Sequence, residues 1–205
     1  DRGGGGLEGR GGAVLDGCGG VVDRDVFGGD WDMDSAEKGG YAHYMLKEIH
    51  EQPEALEKTL ASRRPRSTGD CSWLPVSREE AWRLKRIIIA GCGTACHAGM
   101  IGRYVIEQLA RVPVDVEIAS EYRYRDPVIG PEELFIAISQ SGETADTLAA
   151  VREAKRRGAR VIAICNVVGS TLAREAGERW TLYTYAGPEI AVASTKAYIT
   201  QVEMM

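Results

Sequence analysis

Three short apolar runs, each followed by a polar turn and a helical pattern, constrain the fold of this chain most strongly. The runs occupy residues 87–90, 134–138 and 161–164 and contain no charged side chain. Uniformly apolar runs of this length are typical of strands that are buried on both faces of a sheet. Strands that alternate with helices form a parallel sheet, because a right-handed crossover connects each strand to the next.

Further strands and helices complete this alternation. Strands are predicted at 114–118 and 180–185, and helices at 98–111, 145–157, 170–178 and 195–205. We therefore predict an α/β fold with a five-stranded parallel sheet and helices on both of its faces. The carboxyl ends of parallel strands meet at one edge of the sheet, so we expect a ligand to bind where the strands end.

A glycine-rich segment precedes the predicted sheet. Of the 25 glycines in the chain, 14 lie within residues 1–40. Such a segment loses much backbone entropy on ordering and buries little apolar surface, so residues 1–36 are predicted to form a flexible linker. Residues 37–205 are predicted to form one domain, which opens with a helix to about Gln52 and a second helix after Pro53. Because the chain starts without Met and ends in an unterminated helical pattern, we expect a fragment.

Charge and composition exclude several classes of protein. Lys and Arg number 25 against 30 Asp and Glu, a net charge of −5, which argues against a nucleic-acid partner. No apolar run approaches the roughly 20 residues that a membrane-spanning helix needs. The five cysteines form no C-x-x-C pair, and the three histidines form no ligand pattern with them. We therefore predict no metal, no cofactor and a reducing, cytoplasmic location.

The turn S-Q-S-G-E-T at 139–144 is the most informative motif, because it joins a buried strand to a helix. The hydroxyls of Ser139, Ser141 and Thr144 and the amide of Gln140 converge there with the unpaired amides of a helix amino end. That arrangement suits a phosphate group. The alternative is that Ser141 or Thr144 simply caps the helix. Three hydroxyls within six residues favour the phosphate site over the cap.

Two other segments follow strands. The glycines at 91–99 are spaced too widely for the dinucleotide fingerprint, so a nucleotide-binding domain is the second choice and a wall of the phosphate pocket the first. At 191–196, Ser194 or Thr195 is the expected cap, and Lys196 is a candidate partner for an anion. A hydrolase is excluded because Ser141 lies outside a G-x-S-x-G motif and no histidine follows it.

The remaining candidates are interpreted as structural. Cys92, Cys96 and Cys165 are predicted to be small core residues rather than catalysts. The basic run at 122–125 is predicted to form an exposed face of the domain.

Several motifs together resemble the first sugar isomerase (SIS) domain of the isomerising glutamine–fructose-6-phosphate aminotransferases. They are K-E-I-H-E-Q-P at 47–53, C-G-T at 92–94, S-Q-S-G-E-T-A-D-T-L at 139–148 and V-A-S-T-K at 192–196. The resemblance covers roughly residues 31–205. It implies an SIS-type sheet preceded by a helical segment, which agrees with the strand and helix pattern.

The resemblance also implies a site for fructose 6-phosphate. The residues expected to hold the phosphate and its adjoining hydroxyls are Ser139, Gln140, Ser141 and Thr144. Those expected to contact the sugar are Cys92, Gly93 and Thr94, and those expected to line the opposite side are Val192 and Ser194. The family often has serine where Ala95 stands, so one phosphate hydroxyl is expected to be missing here. We expect that loss to cost on the order of 1 kcal/mol of binding free energy.

For the complete protein, the resemblance implies conversion of fructose 6-phosphate and glutamine to glucosamine 6-phosphate and glutamate, by a homodimer. The family draws its ammonia-releasing cysteine and its isomerising acid, histidine and lysine from parts of the protein outside this chain. We therefore expect this chain to contain no catalytic residue, and to bind the sugar phosphate without converting it. The alternative is a stand-alone SIS module that senses a phosphosugar, which a stop codon after Met205 would favour.

Overall fold

The computed structural model describes residues 14–15, 21–22, 37–63 and 73–205. The chain divides into two compact units, Asp1–Asp30 and Trp31–Met205. In the first unit, strand β1 (Val14–Leu15) pairs antiparallel with strand β2 (Val21–Val22). The rest of the predicted linker at 1–36 lies outside the described residues, so its flexibility and its boundary stay predictions.

The described part of the second unit contains one parallel sheet. Its strands lie in the order β4-β3-β5-β6-β7, and every neighbouring pair is parallel. This confirms the predicted α/β fold with its five strands, which are β3 (Arg86–Gly91), β4 (Val114–Ile118), β5 (Glu133–Ser139), β6 (Arg160–Cys165) and β7 (Thr181–Tyr183).

Eight helices accompany the described strands: α1 (Tyr44–His50), α2 (Gln52–Ala61), α3 (Arg78–Trp82), α4 (Thr94–Ala110), α5 (Ala119–Tyr124), α6 (Ala145–Arg156), α7 (Thr171–Ala176) and α8 (Lys196–Glu203). None of the helices is long and apolar enough to cross a membrane in the part of the chain that the structure describes. Pro53 in the first turn of α2 separates α1 from α2, as the sequence predicts.

Two short helices lie outside the predicted pattern. Helix α3 lies just before β3 and has no counterpart among the predicted helices. Its start is a capping box, in which Ser77 Oγ accepts from the Glu80 amide at 3.2 Å and Glu80 Oε2 accepts from the Ser77 amide at 2.8 Å. Helix α5 follows β4 directly, and no turn residues separate the two elements.

Alternate residues along the strands point into two separate cores, so helices cover both faces. One core packs Phe135 and Val161 of the sheet against Tyr122, Val151 and Leu172 of α5, α6 and α7. The other core contains the strand residues of opposite parity and lies beneath α4 and α8. This alternation explains why the strands read as uninterrupted apolar runs.

The prediction of an exposed face at 122–125 is wrong for Tyr122. This side chain is completely buried, and its ring centroid lies 5.1 Å from that of Phe135. The reason is the turn of α5, which directs Tyr122 inward, while residues 123–125 are exposed. Burial raises the pKa of Tyr122 to about 12.

Helix α4 exposes its large apolar residues and buries a different face. Ile101, Val105 and Leu109 lie on its exposed side. Its buried side consists of small residues, and a Cβ atom at Gly99 would lie 2.8 Å from Ile89 Cγ2. Small residues therefore allow α4 to approach the sheet closely.

Helix α1 shows the same inversion. Met45, Leu46 and Ile49 each remain 42% exposed, whereas Lys47 and Glu48 are buried. The apolar spacing predicted the helix correctly, but a polar face of the helix is the one that faces the domain.

Replacement of Phe135 tests the larger core. We expect Phe135→Ala to lower the free energy of unfolding by about 3–5 kcal/mol, because it leaves a cavity beside Tyr122. Urea denaturation measures this loss. Tyr104→Ala is the control, since Tyr104 is 72% exposed, and it should change stability by less than about 0.5 kcal/mol. Equal losses in the two variants would contradict the assignment of this core.

Candidate functional site

The strand order creates a crevice at the carboxyl ends of β3 and β5. From β3 the chain passes to β4, which lies on one side of β3, and then returns to β5, which lies on the other side of β3. The connections that leave β3 and β5 therefore diverge, and doubly wound sheets bind ligands at such a point. A cavity of about 210 Å³ lies there, lined by the ends of both strands, by residues 189–194 and by α8.

Eight of the nine predicted site residues line this one cavity: Cys92, Thr94, Ser139, Gln140, Ser141, Thr144, Val192 and Ser194. Gly93 does not line it. Its φ of +57°, in the region that favours glycine, turns the chain from β3 into α4. The three segments that the sequence singled out after separate strands thus meet at one place.

The turn after β5 forms one wall of the cavity. Ser139 Oγ accepts from the Gly142 amide at 3.0 Å and lies 3.1 Å from Thr144 Oγ1. Ser141 Oγ accepts from the Glu143 amide at 3.2 Å. Thr144 occupies the N-cap position of α6, yet its side chain makes no capping hydrogen bond. The alternative of simple capping is therefore wrong for Thr144, whose hydroxyl is directed towards Ser139 instead.

Gly142 fixes the position of this turn against α7. It has a φ of +68°, and a Cβ atom there would lie 2.2 Å from Ser170 Oγ. Its carbonyl accepts from the Leu172 amide at 2.9 Å, and Glu143 Oε1 accepts from the Thr171 amide at 2.8 Å. Only glycine satisfies both the backbone conformation and the close approach.

The opposite side of the cavity is formed by residues 186–195, which we call the wall loop. Two carboxylates hold its backbone. Glu48 of α1 is 2% exposed, and its Oε1 accepts from the amides of Ile190 at 2.6 Å and Ala191 at 3.1 Å. Glu189 Oε1 accepts from the Thr195 amide at 2.8 Å, and its Oε2 accepts from Ser194 Oγ at 2.8 Å.

Asn166 anchors the start of the wall loop. Its Oδ1 accepts from the Ala186 amide at 2.7 Å and from Thr184 Oγ1 at 3.1 Å, and its Nδ2 donates to the Gly187 carbonyl at 2.7 Å. The start of the loop is therefore held by Asn166 and its middle by Glu48, and both of these side chains are buried within the domain.

Lys196 does not line the cavity. Its Nζ lies 2.6 Å from Glu51 Oε2, and the side chain is 3% exposed, so this lysine forms an ion pair with α1–α2 rather than with a ligand. Thr195 holds the N-cap position of α8 without a capping side chain, whereas Ser194 Oγ accepts from the Tyr198 amide at 3.1 Å. No lysine or arginine is among the described residues that line the cavity.

The three cysteines in the described part of the chain are buried or half-buried. Burial raises the pKa of the Cys96 thiol and raises that of Cys165 to about 11, so both stay protonated at neutral pH and are poor nucleophiles. Cys92 is half-buried and lines the cavity. The described part of the chain contains no group of three or more His, Cys, Asp or Glu residues placed to hold a metal ion.

Four residues that line the cavity were not predicted from the sequence: Ile138, Glu189, Ala191 and Gln201. A fifth, Ala95, was noted only because the family often has serine at that position. Ile138 is signalled by its place next to the end of a buried strand. Glu189 and Gln201 carry no such signal, because their directions depend on how the wall loop and α8 pack against distant residues.

Comparison with known proteins gives a consistent result. A family model described as the SIS domain matches residues 82–205. The chain is 60% identical over 183 residues to the glutamine--fructose-6-phosphate aminotransferase [isomerizing] of Symbiobacterium thermophilum. It is 56% identical over 185 residues to the protein of the same name from Clostridium tetani. These matches cover 88% and 90% of this chain but 30% of each relative.

A solved structure agrees with the sequence matches. It is the C-terminal domain of glucosamine-fructose-6-phosphate aminotransferase from Francisella tularensis, with a TM-score of 0.71 and 46% sequence identity. The match covers 81% of this chain and 46% of that chain. This chain spans about 30% of the length of the curated relatives that it matches.

Replacement of Gly142 tests the close approach of the β5 turn to α7. We expect Gly142→Ala to lower the free energy of unfolding by about 2–4 kcal/mol, because it adds steric overlap with Ser170 to backbone strain. Gly158→Ala is the matched control. Gly158 has a φ of +87° but its nearest neighbour to a Cβ atom is 3.9 Å away, so only strain of about 1 kcal/mol is expected. Equal losses in urea denaturation would refute the steric part.

Proposed function

The chain belongs to the SIS domain family, and on that basis we propose that the cavity between β3 and β5 binds fructose 6-phosphate. The observation that carries the proposal is the turn after β5. Three hydroxyl side chains line the cavity beside the amino end of α6, whose N-cap residue makes no side-chain capping bond. Amides and hydroxyls in such a position donate to the oxygens of a phosphate group.

The lack of a cationic side chain among the described lining residues defines how the phosphate is bound. Since no lysine or arginine lines the cavity among the described residues, the phosphate is held by neutral donors and by the partial positive charge of the α6 amino end. We assign Ser139, Gln140, Ser141 and Thr144 to the phosphate and its adjoining hydroxyl. The sugar then extends towards Cys92 and Thr94 on one side, where Gly93 turns the chain, and towards Val192 and Ser194 on the other.

For the complete protein we propose the activity named for its relatives, an isomerising glutamine–fructose-6-phosphate aminotransferase. The 60% and 56% identities to proteins of that name support this. The product of that activity is glucosamine 6-phosphate. We assign no catalytic residue to this chain, which binds the substrate while other parts of the protein supply the reacting groups. A cytoplasmic homodimer is the proposed form of the complete protein.

Calorimetric titration with fructose 6-phosphate tests the proposal. We expect saturable binding by the chain, weakened about tenfold or more in Ser141→Ala, because a hydrogen bond to a charged group is lost. Ser120→Ala, in α5 and away from the cavity, is the control and should bind like the wild type. Absence of saturable binding by folded wild-type protein would reject the proposed function.

Ala95 offers a gain-of-function test. This residue lines the cavity and is 6% exposed, next to the amino end of α4. We expect Ala95→Ser to tighten binding of inorganic phosphate and fructose 6-phosphate by about two- to fivefold, because it adds one hydroxyl donor. Ala110→Ser, at the exposed end of α4, is the control. Unchanged affinity in a folded Ala95→Ser variant would place the phosphate elsewhere in the cavity.

A further inference from the structure

The cavity has two chemically different sides. The side formed by the β5 turn carries hydroxyl groups, which can donate hydrogen bonds to an anion. The side formed by the wall loop and α8 carries Glu189 and Gln201. An ionised carboxylate only accepts hydrogen bonds, whereas a glutamine side chain has a carbonyl oxygen that accepts and an NH2 group that donates.

Gln201 is the more informative of these two residues because its carbonyl oxygen has no hydrogen-bond donor among the described residues. The side chain is 1% exposed, and Oε1 finds no hydrogen-bond partner in the described parts of the chain. Two other buried side-chain oxygens share this condition, Tyr122 Oη and Glu203 Oε2. Neither of those residues lines the cavity, whereas Gln201 does.

No donor among the described residues reaches Gln201 Oε1. Ala95 and Ile138, which line the cavity with it, are buried and have no polar side-chain atoms. A buried carbonyl without a partner is unfavourable for folding, and a hydrocarbon of the same shape would avoid that penalty. Glu189 differs, because its carboxylate already accepts from the wall loop.

We propose that Gln201 is a specificity-determining residue, which accepts a hydrogen bond from a hydroxyl group of the bound sugar. A phosphate dianion offers only acceptor oxygens and therefore gains nothing from Gln201 Oε1. A sugar hydroxyl offers the donor that this oxygen lacks. The bound ligand is consequently oriented with its phosphate at the β5 turn and its hydroxylated carbon chain towards α8. This inference rests on the proposed function and deepens it.

The test compares two ligands with one variant. Gln201→Met keeps the length of the side chain and removes its polar atoms. Fructose 6-phosphate and inorganic phosphate are titrated into the 205-residue chain at pH 8, where phosphate is almost entirely the dianion. We expect Gln201→Met to weaken fructose 6-phosphate by about five- to tenfold and to change phosphate affinity less than about twofold. Its thermal midpoint should be unchanged or higher, because an unpartnered polar atom is removed.

Two other variants serve as controls for the comparison of the two ligands. Ser141→Ala should weaken both ligands, because both carry the phosphate. Gln108→Met, on the exposed surface of α4, should leave both affinities unchanged. A loss for the sugar phosphate alone in Gln201→Met, with stability retained, supports the proposal.

The remaining outcomes overturn it. Unchanged binding of fructose 6-phosphate by Gln201→Met would show that Oε1 receives no hydrogen bond from the sugar. Equal loss of both ligands, or a lower thermal midpoint, would show that Gln201 has a structural role alone. If the wild-type chain binds neither ligand, the proposed function itself fails and this inference fails with it.

Discussion

The site depends on one topological constraint, the reversal of strand order at β3. Because β4 and β5 lie on opposite sides of β3, the two connections that start at this edge cannot close over each other. The register adds a second condition, since Gly91 of β3 pairs with Ile138 of β5, so both strands end at the same level. The polar turns that follow therefore begin side by side, and each contributes a wall to the same cavity.

The second requirement is that the wall loop stays in place, which depends on one buried carboxylate, Glu48, and on two half-buried ones, Glu51 and Glu189. A carboxylate removed from water needs several donors to offset its desolvation, and a loop backbone has amides that need acceptors. Glu48 and Glu189 supply those acceptors, and Glu51 pairs with Lys196 where α8 begins. The inverted polarity of α1 has the same origin, because the face that contacts the domain is the face that carries Glu48.

The sheet and the β5 turn were predictable because their signals are local. Apolar runs identify buried strands wherever they pack, and S-Q-S-G-E-T combines a glycine with hydroxyls inside one turn. The roles of Lys196, Glu189 and Gln201 were not predictable in the same way. Lys196 meets a residue 145 positions earlier in the chain, and no sequence window contains both partners. The burial of Tyr122 was not predictable for a related reason. Its charged neighbours in the sequence indicate exposure, whereas the turn of α5 and the contact with Phe135 bury it.

The contact between Glu48 and the wall loop also determines how long a segment must be to carry the whole binding site into another protein. The family pattern begins at residue 82, whereas Glu48 and Glu51, which hold the far side of the cavity, stand more than thirty positions earlier. A gene fusion or recombination event that transferred only the recognisable pattern would carry the strands and the phosphate turn into a new protein. It would leave behind the carboxylates that shape the other half of the cavity. The smallest segment that can be exchanged with its binding site intact is therefore longer than the SIS domain match at residues 82–205.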